Sequence, residues 1–170
     1  EMLAIRVGNI TSDGNETIIS ITSVLDRDGK TIKDYPKSDA GRRSLPVDDY
    51  TADTVRAWIE LKSEMMRKMG LKPSMSMLVC GPEMIPRTYQ SWHRDWMRFA
   101  AEAGFEGVRP YALRHTFATL NLANGENIKT VAVLMGHASS AYTLDLYAAY
   151  VPNTGIGIGT RYMNFLRAAA

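Results

Sequence analysis

Cysteine is almost absent from this chain. Cys80 is the only one in 170 residues, which excludes an internal disulfide and fits a reducing cytoplasm. As a lone thiol it is expected to be a small buried residue. Histidine is scarce too: three histidines and one cysteine fall in no metal-ligand spacing, which argues against a zinc site. No apolar run approaches the length of a membrane span, and no charged-then-apolar leader opens the chain. An excess of one charge is missing as well. With 20 Lys and Arg against 18 Asp and Glu, the net charge of +2 permits nucleic-acid binding without arguing for it. Nothing resembles the carboxylate cluster of a two-metal nuclease. What remains is ordinary for one globular domain with a real core: 45% hydrophobic and 22% charged residues.

The chemistry is concentrated between Tyr111 and Pro152. Tyr-Ala-Leu-Arg-His-Thr-Phe-Ala-Thr comes first, then Leu-Met-Gly-His, then Thr-Leu-Asp-Leu-Tyr. Arg114, His137 and Tyr147 follow in that order, 23 and then 10 positions apart. A guanidinium grips two phosphate oxygens through its planar fork. An imidazole adds a donor or a proton acceptor near neutral pH. A phenol can attack and form a covalent bond. The trio suits transfer of a phosphoryl group of a nucleic-acid backbone to tyrosine without a metal. Tyr150 and Tyr142 are the competing nucleophiles; Tyr150 lies about one helical turn on, and Tyr142 follows His137 too soon.

Leu113-Arg114-His115-Thr116-Phe117-Ala118-Thr119 resembles the second-arginine motif of the tyrosine recombinases, the phage-integrase family. Leu134-Met135-Gly136-His137 resembles that family's Leu-Gly-His step, with Met135 where leucine is usual, and Thr143 to Tyr147 resembles its nucleophile segment. The resemblance implies an α+β fold, mainly helical, with a small antiparallel three-stranded sheet followed by a helical bundle. It implies site-specific DNA recombination: Tyr147 as nucleophile, a 3′-phosphotyrosyl intermediate, and Arg114 and His137 stabilising charge on the phosphorus. It implies no cofactor. The expected partners are double-stranded DNA and other copies of the chain, as a tetramer on paired sites. Tyr111 occupies the position where the family has histidine, so its role stays open. A DNA-binding module without catalysis, or a type IB topoisomerase, are the alternative readings.

In chain order, Glu1 to Arg6 reads as the middle of a helix, and the chain looks excised from a longer protein. Glu1 matches the glutamate of the family's Arg-x-x-Glu pattern, which would put the first catalytic arginine three residues upstream. Residues 5 to 47 read as the sheet. Its strands are Thr17 to Val24, Lys30 to Tyr35 and Arg42 to Val47, with turns at Asp13-Gly14-Asn15 and Asp26 to Gly29. A lysine and Arg-Arg around a polar turn are ordinarily solvated charge. The resemblance instead implies a catalytic lysine here, ahead of an apolar-Pro pair that Leu45-Pro46 supplies. Lys37 fits best, as general acid for the departing 5′-oxygen, with Lys30 and Lys33 as competitors. Arg42 and Arg43 are expected to contact phosphates or face solvent.

Asp49 to Met69 reads as an amphipathic helix capped by Thr51 or Asp49, with Val55, Trp58, Ile59, Leu61, Met65, Met66 and Met69 as its apolar face. Leu71 to Arg87 reads as a loop with a short apolar element at Met77 to Val79. Thr88 to Ala103 is a helix with Trp92, Trp96, Phe99 and Ala100 inward; Arg87, Arg94 and Arg98 are candidate phosphate contacts. A helix from about Tyr111 to Ala123 would carry Arg114 in its first turn, where free N–H groups favour an anion, with Phe117, Ala118 and Leu120 inward. His115 is expected to point elsewhere and be structural. A short helix through Leu134, a sharp turn at Gly136 and a helix from Ser139 to Tyr150 complete the motif. Residues 1–152 then form the catalytic domain, and 153–170 a linker with a terminal helix that packs in cis or in trans.

Overall fold

Thr17-Ile18-Ile19-Ser20-Ile21 carries the densest β-branched pattern in the chain, and it forms the middle strand of the sheet. In the computed structural model, which describes residues 1–14, 16–34, 39–81, 86–151 and 158–168, five strands precede the helices. They are β1 (Ile10–Asp13), β2 (Glu16–Ile21), β3 (Val24–Leu25), β4 (Ile32–Lys33) and β5 (Arg43–Val47). The antiparallel three-stranded sheet has the order β1-β2-β5, with Ile19 opposite both Ile10 and Leu45. The expected sheet is therefore present with different members. β1 has one apolar residue among four and no alternation to announce it. Of the expected strand Lys30 to Tyr35, Tyr35 lies outside the described residues and the rest contributes Ile32–Lys33 as β4, which pairs with β3 as a separate ribbon.

The opening residues are not mid-helix. Met2–Ala4 make one 3-10 turn, after which Ile5 and Arg6 run extended into a second 3-10 turn at Val7–Asn9. Tertiary pairing overrides the local pattern: Val7 N–H donates to the Met77 carbonyl at 2.8 Å and Val79 N–H to the Ile5 carbonyl at 2.8 Å. Met77 and Leu78, the short apolar element of the long loop, are buried by this pairing together with Leu3 and Ala4.

Six helices follow: α1 (Asp49–Lys68), α2 (Tyr89–Glu102), α3 (Pro110–Ala123), α4 (Ile128–Met135), α5 (Ser140–Tyr147) and α6 (Ile158–Ala168). The cap of α1 is Asp48, whose carboxylate accepts from Thr51 N–H at 2.8 Å. Its buried residues are Ala52, Lys62, Ser63 and Met66, while Trp58, Leu61, Met65 and Met69 lie exposed. The expected apolar face is thus only partly the inward one. Three specific bonds help set the rotation: the Lys62 ammonium donates to the carbonyls of Leu78 and Gly81, and the Trp58 indole N–H to that of Val79.

α2 turns Ala100 inward and leaves Phe99 exposed, with Trp92 and Trp96 half-buried and stacked. In α3 the buried residues are Ala118 and Leu122; Phe117 and Leu120 are exposed, against expectation. Ala118, Leu122, Val131, Met135 and Tyr147 form one apolar cluster joining α3, α4 and α5. The stretch 152–157, most of the expected linker, lies outside the described residues. Among the described residues no helix is long and apolar enough to cross a membrane.

Candidate functional site

Pro110 decides where Arg114 sits. Proline lacks an N–H and has a fixed φ, so it fits the first helical position. α3 accordingly begins at Pro110, which puts Arg114 in the second turn rather than the first. The free N–H groups of the helix start are therefore a turn away. Its guanidinium donates instead to the carbonyl of Met135, the last residue of α4. A cavity of about 290 Å³ opens beside it, lined by Leu45 and Pro46 of β5 and by Phe117 and Met135.

α4 stops at Gly136, whose backbone is left-handed at φ 69°. His137 N–H returns to the Ala132 carbonyl at 3.0 Å, closing the turn that presents the imidazole. A Cβ on Gly136 would stand 2.9 Å from Arg43 Nη1 and 3.2 Å from the Ala40 carbonyl oxygen. Gly136→Ala is therefore expected to lose roughly 1–2 kcal/mol from the left-handed backbone alone, and more from the clash. Thermal unfolding would measure it; a melting point equal to wild type would refute the reading.

His137 Nδ1 lies 2.7 Å from the hydroxyl of fully buried Thr143. This leaves Nε2 to face a ligand. Burial, then the positive charges of Arg114 and Arg43, hold its pKa below the ordinary 6.5. His137 is therefore a neutral imidazole at pH 7, suited to donate one hydrogen bond rather than to carry charge.

Tyr147 ends α5, and the backbone tightens there into a 3-10 turn over Ala148–Tyr150. Its side chain is 3% exposed, and its hydroxyl lies 2.7 Å from Nδ1 of His115. Burial, then the neighbouring Tyr111, raise its pKa above the ordinary 10, with Arg114 opposing. His115 is thus not turned away from the chemistry, as its place beside Arg114 suggested. Tyr111 stands one helical turn before it and sets its ring edge-on to the imidazole at 4.9 Å. The sequence did hold a signal for this: Tyr111 and His115 are four apart on a helix and share a face.

The remaining candidates are more scattered. Lys37 lies outside the described residues. Of its competitors, Lys33 pairs with Asp26 at 2.8 Å. Arg42 is exposed and donates to the Asp34 carbonyl at 2.8 Å. The Arg43 side chain is 7% exposed and faces inward, against expectation. It grips both carboxylate oxygens of Glu1, at 3.1 and 2.8 Å, and donates to the Leu134 carbonyl at 2.7 Å. Strand pairing with Ile21 turns it toward the end of α4. Arg87 pairs with Asp95, as does Arg98 at 3.5 Å, while Arg94 is exposed on the same helix. Cys80 is part-buried, which raises its pKa.

The comparisons with known proteins agree on one family. The sequence model of the Phage integrase family matches residues 1–153. Among curated proteins, the chain is 22% identical to the ICEBs1 integrase of Bacillus subtilis (strain 168) over 126 residues, 74% of this chain and 34% of that protein. It is 27% identical to the tyrosine recombinase XerC of Ralstonia pickettii (strain 12J) over 122 residues, 71% of this chain and 37% of that one. The chain thus spans about a third of the length of the curated relatives it matches. Among solved structures, the fold is similar to the Tn1549 transposon integrase in complex with transposon right end DNA, with TM-score 0.66 and 19% identity over 99% of this chain and 54% of that one. It is also similar to XerA recombinase, with TM-score 0.59 and 18% identity over 97% of this chain and 50% of that one. With residues 1–153 matched and the sheet and helices folded alike, the chain belongs to the phage integrase family.

Proposed function

We propose that this chain is the catalytic part of a tyrosine-type site-specific DNA recombinase. The observation that carries the reading is the convergence at the end of α4: Arg114 bonded to the Met135 carbonyl, His137 two residues on, and the charge of Arg114 felt at both His137 and Tyr147. Tyr147 Oη attacks the scissile phosphorus, forming an oxygen–phosphorus bond to the 3′ side as the bond to the 5′-oxygen breaks. The phenolic proton goes to a base, and the departing 5′-oxygen takes a proton from an acid, the role assigned to Lys37. Arg114 and neutral His137 bind the non-bridging oxygens as negative charge builds on them. A well-placed donor of this kind is commonly worth about 3–4 kcal/mol. The phosphotyrosyl bond keeps the energy of the broken linkage, so a 5′-hydroxyl from a partner strand reverses the step without ATP.

Double-stranded DNA and further copies of the protein on it are the partners this chemistry requires, in the cytoplasm. Exposed Arg42 and Arg94, with Arg87, are the candidate phosphate contacts on the surface; Arg43 acts from within as a support. Tyr111 acts through His115 rather than on the phosphate directly.

Covalent trapping tests the reading. The chain, alone and within the longest polypeptide that carries it, is incubated with a nicked duplex of the target site in chelator. The expected product is a protein–DNA adduct on a denaturing gel, with the modified peptide containing Tyr147 by mass spectrometry. DNA that is bound with salt-sensitive affinity but never joined would point to a binding module instead. Cleavage that needs magnesium would also count against the proposal.

A further inference from the structure

We propose that His115 is the base that takes the proton from Tyr147 during strand cleavage and returns it during rejoining. The inference rests on the tyrosine-recombinase reading above and names a residue that reading leaves unassigned. Its ground is geometric. The Tyr147 hydroxyl has one hydrogen to lose, and Nδ1 of His115 lies 2.7 Å from its oxygen. Proton transfer needs heavy atoms within about 2.6–3.2 Å. His137, the other imidazole of the site, bonds through Nδ1 to Thr143, so that nitrogen is committed elsewhere. Arg114 offers only donors, because a guanidinium has no lone pair to accept a proton.

The surroundings of the pair fit the role. Tyr147 sits in the apolar cluster, and burial makes its phenolate harder to form than in water. A phenol held in this way needs an acceptor at the moment of attack. The Tyr111 ring meets His115 edge-on at 75°, which restricts the imidazole plane and keeps Nδ1 directed at Tyr147. In the tautomer with its hydrogen on Nε2, His115 accepts at Nδ1. As the oxygen–phosphorus bond forms, the phenolic proton moves to Nδ1 and His115 becomes imidazolium. The bond to the 5′-oxygen breaks, and that oxygen is protonated from a separate acid. In rejoining, the incoming 5′-hydroxyl returns its proton to the conjugate base of that acid as it displaces the tyrosyl oxygen, which recovers its own proton from His115. Acid and base are then different residues on opposite sides of the phosphorus, as in-line displacement demands.

The test is single-turnover adduct formation by the complete polypeptide with wild type, His115→Ala and His115→Asn. Each is run on an ordinary nicked duplex and on one whose leaving 5′-oxygen is replaced by sulfur, a thiolate that departs without an acid. His115→Ala is expected to slow the adduct by about 10²-fold or more, equally on both substrates, with DNA binding near wild type and a melting temperature lowered by only a few degrees, roughly 2–4 °C, for the lost bond to Tyr147. His115→Asn presents an amide oxygen that can accept the same hydrogen bond but takes no proton, so it is expected to remain as slow. Recovery in His115→Asn would mean that His115 only positions Tyr147, and would overturn the proposal. Recovery of His115→Ala on the sulfur substrate alone would make His115 serve the leaving group, which overturns it too. A His115→Ala rate within a few-fold of wild type overturns it as well. Absence of an adduct in the wild type would instead fail the recombinase reading itself.

Discussion

Tyr147→Phe is expected to abolish the covalent adduct completely while leaving the protein folded and able to bind DNA. Phenylalanine keeps the ring that packs against Ala118, Leu122, Val131 and Met135 and removes only the hydroxyl. The loss is one hydrogen bond to His115, at about 1 kcal/mol. For a chain of this size that lowers the melting temperature by roughly 2–4 °C. Activity, in contrast, loses the proposed nucleophile and is expected to find no substitute. Tyr150 and Tyr142 are both exposed, and Tyr142 stands edge-on to His137 at 4.9 Å rather than against His115. Phenylalanine at either position is therefore expected to leave the adduct in place. An adduct that survives Tyr147→Phe and vanishes in Tyr150→Phe would move the chemistry one turn along the chain and refute the assignment.

Arg43→Ala is expected to cause the largest loss of stability, about 3 kcal/mol. Removing one partner of a buried, bidentate ion pair typically costs about 3–5 kcal/mol, and the lower end applies because Glu1 is part-exposed. The substitution strands the Glu1 carboxylate, the Leu134 carbonyl and the Gly41 carbonyl together. Calorimetry should find the melting temperature down by roughly 6–12 °C; a fall under about 2 °C would contradict the account. Lysine in place of Arg43 is expected to recover little, because one ammonium cannot serve three acceptors in the guanidinium plane.

Acid gives a second check. Burial would raise the Glu1 pKa, but the hydrogen bond and charge of Arg43 outweigh it and hold the carboxyl below its ordinary 4.5. The pair's contribution is therefore complete above pH 4.5 and is lost as pH falls through the lowered folded-state value. The gap between wild type and Arg43→Ala should narrow below pH 4.5.

Much of the candidate site's arrangement was legible because the proposed chemistry is tied to order along the chain. Arg114 on α3, His137 in the turn after α4 and Tyr147 at the end of α5 follow one another along the chain, and the breaks between them, Asn124-Gly125 and Gly136, are written in glycine. What was not legible depends on contacts between distant segments. The inward turn of Arg43 depends on a carbonyl 91 positions away. The contact of His115 with Tyr147 spans 32 positions, and neither residue's local pattern encodes the crossing of α3 and α5. The mid-helix reading of Glu1 to Arg6 failed for the same reason, since its backbone partners lie in Met75 to Val79. The apolar face of α1 was misjudged because Lys62, a residue usually assigned to the surface, is held inside by two carbonyls.

On the proposed reading one side chain belongs at once to the core and to the reaction. Tyr147 then meets the phosphate with its ring still in the cluster beside His115, because fully exposing a side chain of that size would cost about 1.5–3 kcal/mol. At that cost a free protein would hold the whole side chain outward in only roughly 0.6–8% of molecules. The same few kilocalories that complete the fold would thus fix where the proposed nucleophile stands, and a strand would have to be brought to it.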